Sequence, residues 1–97
     1  YAKAWTEGDV AALSGAVADG VRFTSPSESI AGVADLSAVV ARSASVDLAI
    51  VGAQAYPKFA RVAFRADDGT QWTDYLHLDG AGRIVRIARF EGGFPAP

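Results

Sequence analysis

Residues 71–90 read QWTDYLHLDGAGRIVRIARF, and the alternation within this stretch decides the fold. Asp79-Gly80-Ala81-Gly82 supplies turn residues between two runs of β-branched, aromatic and aliphatic residues, the pattern of a β-hairpin. Side chains alternate faces along a strand. Trp72, Asp74, Leu76 and Leu78 therefore share one face, and Thr73, Tyr75 and His77 the other. A four-residue loop pairs Leu78 with Arg83, Asp74 with Ile87 and Trp72 with Arg89. One face then carries Trp72, Asp74 and Leu76 beside Val85, Ile87 and Arg89, an acid and a base diagonal on an apolar surface. If that face is buried, both charges are costly unless paired or given a task.

Outward from the hairpin, the same reading covers the rest of the chain. Lys58 to Ala66 alternates as a strand, with Phe59, Arg61, Ala63 and Arg65 opposed to Ala60, Val62 and Phe64. Asp67-Asp68-Gly69-Thr70 turns it into the hairpin, and Val46 to Tyr56 is a further strand ended by Pro57. Val33 to Ala44 reads as a helix with Val33, Leu36, Val39 and Val40 at helical spacing. Ser27 to Gly32 reads as a polar loop, and Val21-Arg22-Phe23-Thr24-Ser25 as a short strand closed by Pro26. Asp9 is the expected N-cap of a helix over 9–18 with Val10, Leu13 and Val17 as its stripe, and Gly8 stops an earlier helix holding Tyr1 and Trp5 on one face. Glu91 to Pro97 reads as a fraying tail.

Helix, helix, strand, helix, then four strands with short turns predicts an α+β fold, a curved antiparallel sheet with helices on its concave face. Such a cone has a mouth and an apolar interior, a usual place for a small-molecule pocket. The 97 residues, 51% hydrophobic, predict one domain, 1–97, with one core. A net charge of -2 without a basic cluster argues against a nucleic-acid partner, and no apolar run reaches membrane-spanning length. With no cysteine and one histidine there is no Cys-ligated or His-rich metal site, and no cofactor is expected. The cysteine-free composition fits a reducing, cytoplasmic compartment. A start at Tyr1 rather than Met predicts that the first helix is truncated.

Several local motifs resemble the nuclear transport factor 2-like superfamily, in particular its ketosteroid isomerase and SnoaL-like polyketide cyclase branches. They are Tyr1 with Gly8-Asp9, Leu13, Ala18-Asp19, Val21 to Pro26, Gly32, and Asp74 to Asp79 followed by Gly82-Arg83-Ile84. The resemblance implies a cone-shaped, cystatin-like fold that binds an apolar small molecule, with isomerase-like or cyclase-like chemistry if it is an enzyme. It places Tyr1 where the isomerases donate to the substrate oxygen, and Asp74 where a carboxylic acid kept protonated is the second donor. The isomerases carry an aspartate base just before a proline, where this chain has Ser25 before Pro26. A serine without a partner cannot take the proton, so isomerase chemistry is not implied. If Arg89 reaches Asp74 it favours the ionised carboxylate and opposes a protonated donor. Asp74 and Arg89 also resemble two parts of the Asp-Arg-Asp set of limonene epoxide hydrolases, but no second aspartate is in place.

The expected ligand-binding residues are Trp72, Asp74, Arg89, Ile87, Phe23, Ser25 and Phe64, with Asp74 and Tyr1 as catalytic candidates. Against this, Asp74 is equally read as an ion-pair partner of Arg89, and Trp72 and Phe64 as core. Glu28 is a candidate replacement base, against a plain solvated loop residue. Tyr75, His77, Arg86, Ala88 and Phe90 form the outer hairpin face, which suits a homodimer interface or an ordinary solvent face. The alternative to ligand binding is a non-catalytic dimerisation or scaffold domain of the same fold.

Overall fold

The computed structural model describes residues 1–26, 28–42 and 48–92. In chain order the elements are α1 Ala2–Glu7, α2 Val10–Ala16, β1 Val17–Thr24, β2 Ser29–Ala31, α3 Val33–Arg42, β3 Leu48–Tyr56, β4 Phe59–Ala66, β5 Gln71–Leu78 and β6 Ile84–Glu91. The fold is α+β, with one six-stranded sheet in the order β2-β1-β6-β5-β4-β3. Neighbouring strands are antiparallel except β1 and β6, which run parallel. Bulges interrupt the ladders near Ile50, near His77 and between Val17 and Arg22. Bulges bend and twist the strands that carry them.

The helices pack on one face of this sheet. Leu13, Leu36 and Val40 are buried with Trp5 against Val21, Phe23, Phe64 and Ile87. The local signals at the start of the chain act as expected. Gly8 caps α1 at φ 66, and the Asp9 side chain accepts a 3.0 Å hydrogen bond from the Ala12 amide at the start of α2. Val10, however, is 36% exposed and does not join the buried stripe.

The first strand begins earlier than expected. α2 ends at Ala16, and Val17 is already extended and pairs with Ile84 instead of closing a helix to residue 18. Asp19 and Gly20 fall in the bulged part of β1 and are exposed, so they relieve the ladder rather than stop a helix. The expected polar loop also contains a strand. Ser29–Ala31 pairs back on β1 after a turn in which the Ser25 amide bonds the Glu28 carbonyl at 2.8 Å. Residues 43–47, within which the expected third helix ends and the next strand begins, lie outside the described residues, as do 27 and 93–97. Glu91, expected in the tail, is the last residue of β6.

The central hairpin has a different register from the expected one. Leu78 pairs with Ile84 rather than Arg83, because Asp79 closes a five-residue loop by accepting from the Ala81 and Arg83 amides, each at 2.9 Å. A bulge then leaves Val85 as an extra residue. It is 37% exposed, whereas Ile84 turns inward at 4%. Two single-residue shifts add to two, and a shift of two preserves faces. Ile87 and Arg89 therefore still share the inner face with Asp74. Asp74 now stands directly opposite Arg89, Leu76 opposite Ile87, and Trp72 opposite Glu91.

Among the described residues no helix is long and apolar enough to cross a membrane.

Candidate functional site

Facing positions on β5 and β6 put Asp74 and Arg89 side by side on the inner face, under the helices. Asp74 has no exposed surface. Its Oδ1 accepts from Arg89 Nε at 2.7 Å, and its Oδ2 accepts from Arg89 Nη2 at 2.9 Å. The Tyr1 hydroxyl donates to the same Oδ2 at 2.5 Å. A carboxylate in an apolar interior is tolerable only with such partners, and the two-pronged guanidinium contact is the strongest form available.

The aromatic residues around Arg89 complete the setting. Its guanidinium carbon lies 4.2 Å from the Trp5 ring centre, 5.0 Å from Phe23 and 4.9 Å from Trp72. Each is within the range of cation–π attraction. Tyr1, the N-cap of α1, stands four residues before Trp5 and 6.4 Å from it, ring to ring, and Trp5 in turn packs on Phe23 at 6.0 Å. Burial alone would lower the Arg89 pKa, but the hydrogen bonds and charge of Asp74 outweigh it and raise it. The Tyr1 phenol is pushed well above its ordinary value by burial first, and then by the adjacent Asp74 charge.

That shift has a testable sign. A phenol whose folded pKa lies above its unfolded value contributes stability that is fully present below the unfolded value of 10.0 and is lost as pH rises toward the folded value. Melting midpoints measured from pH 9 upward should fall, and Tyr1→Phe should fall less steeply. At pH 7 the same variant should lose about 1.5–3 kcal/mol, the usual worth of a hydrogen bond to a charged group. Identical pH profiles for the two chains would show that the hydroxyl is solvated.

Next to this cluster lies a cavity of about 250 Å³. Phe23 and Trp72 form its walls and Arg89 reaches it from the interior. Ser25, Pro26 and Glu28 bound it on one side, and Thr70, Gln71 and Glu91 on the other. Of the expected ligand-binding residues, Phe23, Ser25, Trp72 and Arg89 thus meet at one cavity. Phe64 and Ile87 do not line it, and both are fully buried in the core. Asp74 does not line it either, because its oxygens are turned to Arg89 and Tyr1. Both of its oxygens accept hydrogen bonds, the arrangement of an acceptor rather than of a protonated donor. Tyr1 likewise spends its hydroxyl on Asp74, not on the cavity. Ser25 Oγ accepts from the Glu28 amide at 3.2 Å, so this side chain also closes a turn.

Trp5, Pro26, Thr70, Gln71 and Glu91 were not singled out by sequence reasoning for this site. Glu91 had a usable signal, since it sits two residues beyond Arg89 on the same strand face. Thr70, in the β4–β5 turn, and Gln71, the first residue of β5, had none. Among the described residues no three His, Cys, Asp or Glu side chains gather as a metal site.

This architecture is the nuclear transport factor 2-like fold. No family model and no curated protein matches the chain. Among solved structures, it is similar to a candidate isomerase of the SnoaL-like family from Agrobacterium tumefaciens, at 23% identity and TM-score 0.78, over 94% of this chain and 90% of that one. It is also similar to a steroid delta-isomerase from Pseudomonas aeruginosa, at 20% identity and TM-score 0.77, over 96% of this chain and 74% of that one. A third is a protein with a ketosteroid isomerase-like fold from Catenulispora acidiphila in complex with trimethylamine, at 16% identity and TM-score 0.71, over 91% of this chain and 78% of that one. Identities at this level speak for the fold, which hosts many functions.

Proposed function

We propose that the chain binds a small, mainly apolar molecule in the cavity between Phe23, Trp72 and Arg89. The observation that carries this reading is a cavity with aromatic walls that is lined by Arg89, the partly accessible member of a buried ionic cluster. Apolar walls with a few convergent polar groups are the usual make-up of ligand sites. At about 250 Å³ the space lies under the roughly 300–1,000 Å³ typical of such pockets, so the ligand is small. A neighbour of like fold was solved in complex with a small molecule, trimethylamine. A cytoplasmic setting goes with the reading, since a chain without cysteine is at home in a reducing compartment.

The chain has two tryptophans, Trp5 and Trp72, and therefore two indole N–H signals in a proton–nitrogen correlation spectrum. Titration with a panel of small ring compounds should move the Trp72 signal saturably at millimolar concentration or below. A Trp72 signal unmoved by every member of the panel would end the reading.

A second reading, a dimerisation domain, is favoured by a different observation. Tyr56 packs on Phe59 at 5.9 Å, Phe59 on Tyr75 at 5.8 Å and on His77 at 5.6 Å, and Tyr75 on Phe90 at 5.5 Å. This aromatic row crosses the outer sheet face from β3 to β6, and Tyr56 and Phe90 are 52% and 56% exposed. A patch of this kind suits two-fold pairing with a second copy. Sedimentation at micromolar concentration should give a dimer, and Phe90→Lys should give a monomer. A monomer for the unaltered chain would remove this reading without touching the first.

A further inference from the structure

We propose that the ligand of this cavity carries a carboxylate or comparable oxyanion head, received by the edge of the Arg89 guanidinium that faces away from Asp74. The inference rests on the small-molecule reading above and adds the chemical class of the ligand. It begins with an asymmetry in the ion pair. The Arg89 side chain keeps 16% of its surface accessible, and the Asp74 side chain keeps none. Arg89 lines the cavity and Asp74 does not. The pair is neutral as a whole, but only its cationic member is presented to a ligand.

The geometry of the guanidinium narrows the choice. Of its five N–H donors, two are given to Asp74 through Nε and Nη2, and the Tyr1 hydroxyl is a further hydrogen-bond neighbour; the other donors lie on the edges away from Asp74. The rings of Trp5, Phe23 and Trp72 pack within 5.0 Å of its central carbon. A planar cation lined by aromatic faces offers its rim of N–H groups rather than its faces. Two parallel N–H donors on one edge match the two oxygens of a carboxylate, the pairing in which arginine exceeds lysine. Asp74 fixes the plane of the group, so little rotamer freedom remains to be lost when an anion docks. An apolar tail then lies against Phe23 and Trp72.

Two carboxylates oppose this at the mouth. Glu28 and Glu91 line the cavity, and both are exposed. Charges in water are screened over about 8 Å at physiological salt, whereas the inner guanidinium is largely shielded from solvent. The rim slows and weakens anion entry without cancelling the deeper cation. It also makes a discriminating variant available.

The test compares hexanoate, 1-hexanol and hexylamine on the unaltered chain, followed by the two indole N–H signals. Hexanoate is expected to bind about tenfold more tightly than hexanol, the ratio that about 1.4 kcal/mol of added charge-assisted bonding gives. The variant Glu28→Gln with Glu91→Gln is expected to tighten hexanoate by a further factor of about two to four, by removing two screened repulsions. The variant Asp74→Asn with Arg89→Gln removes both buried charges together, and is expected to bind hexanoate and hexanol equally. Equal affinities for hexanoate and hexanol in the unaltered chain would overturn the oxyanion head and leave the pocket reading standing. Tightest binding by hexylamine would overturn it in favour of recognition by the rim glutamates. Binding of none of the three, together with failure of the ring-compound panel, would overturn both readings. If the double variant at Asp74 and Arg89 does not fold, the three-ligand comparison still decides.

Discussion

Arg89→Met should cost about 3–5 kcal/mol of folding stability, among the largest single-residue effects available in this chain. The substitution keeps an apolar stem against the Trp5, Phe23 and Trp72 rings, so packing loss is held down. What it removes is the bidentate partner of a carboxylate with no exposed surface. The remaining Tyr1 hydroxyl cannot balance a full charge. For a domain of this size the melting midpoint should fall by roughly 15–30 °C. Asp74→Leu combined with Arg89→Met should recover most of the loss, because a buried ion pair replaced by apolar side chains is often neutral or better. Thermal unfolding of the two variants decides the matter. A single-variant cost under about 1 kcal/mol would mean that water reaches the pair.

The second large effect concerns catalysis. The unaltered chain should show no measurable steroid isomerisation, although it shares its fold with a steroid delta-isomerase. Ser25 stands where the resemblance puts the aspartate base, and a positioned general base is worth about two to four powers of ten in rate. Its hydroxyl is engaged with the Glu28 backbone amide. The donor side is missing as well, since Asp74 accepts from Arg89 and Tyr1 instead of offering a proton. Ser25→Asp alone should therefore stay inactive. Trace turnover is expected only when Arg89→Ala is added, which frees the Asp74 carboxyl, and only at a temperature where circular dichroism shows the variant folded. Robust turnover by the unaltered chain would overturn this account. Glu28, at the mouth of the cavity, would then be the base to substitute.

Much of this architecture was legible along the chain. Alternation and turn residues located β4, β5 and β6, because an antiparallel strand with one buried face writes a period of two into its sequence. Gly8 and Asp9 marked a helix end and a helix start through backbone chemistry that needs no distant partner. The same alternation placed Trp72, Asp74, Ile87 and Arg89 on one face. Other features left no such mark. Val17 lies four residues from both Leu13 and Val21, so it fits a helical stripe, yet a β-branched residue also extends readily. Ser29–Ala31 is too short for any period to show.

By itself, the sequence determined the α+β class, the strands of the central hairpin and the faces their side chains take, since these follow from local backbone geometry. Tertiary structure alone decided the rest of the site. The five-residue loop and the bulge at Val85 together set Asp74 against Arg89 rather than Ile87, and a bulge is chosen by how two strands pair, not by either strand's own pattern. The Tyr1 hydroxyl reaches Asp74 across 73 positions of sequence, because α1 is laid over the sheet by burial of Trp5. That contact and the Arg89 pair use up the carboxylate, and it is Arg89, not Asp74, that lines the cavity. Hydrophobic burial is non-directional, so it commits these layers to pack without encoding in any one segment which polar atoms will meet.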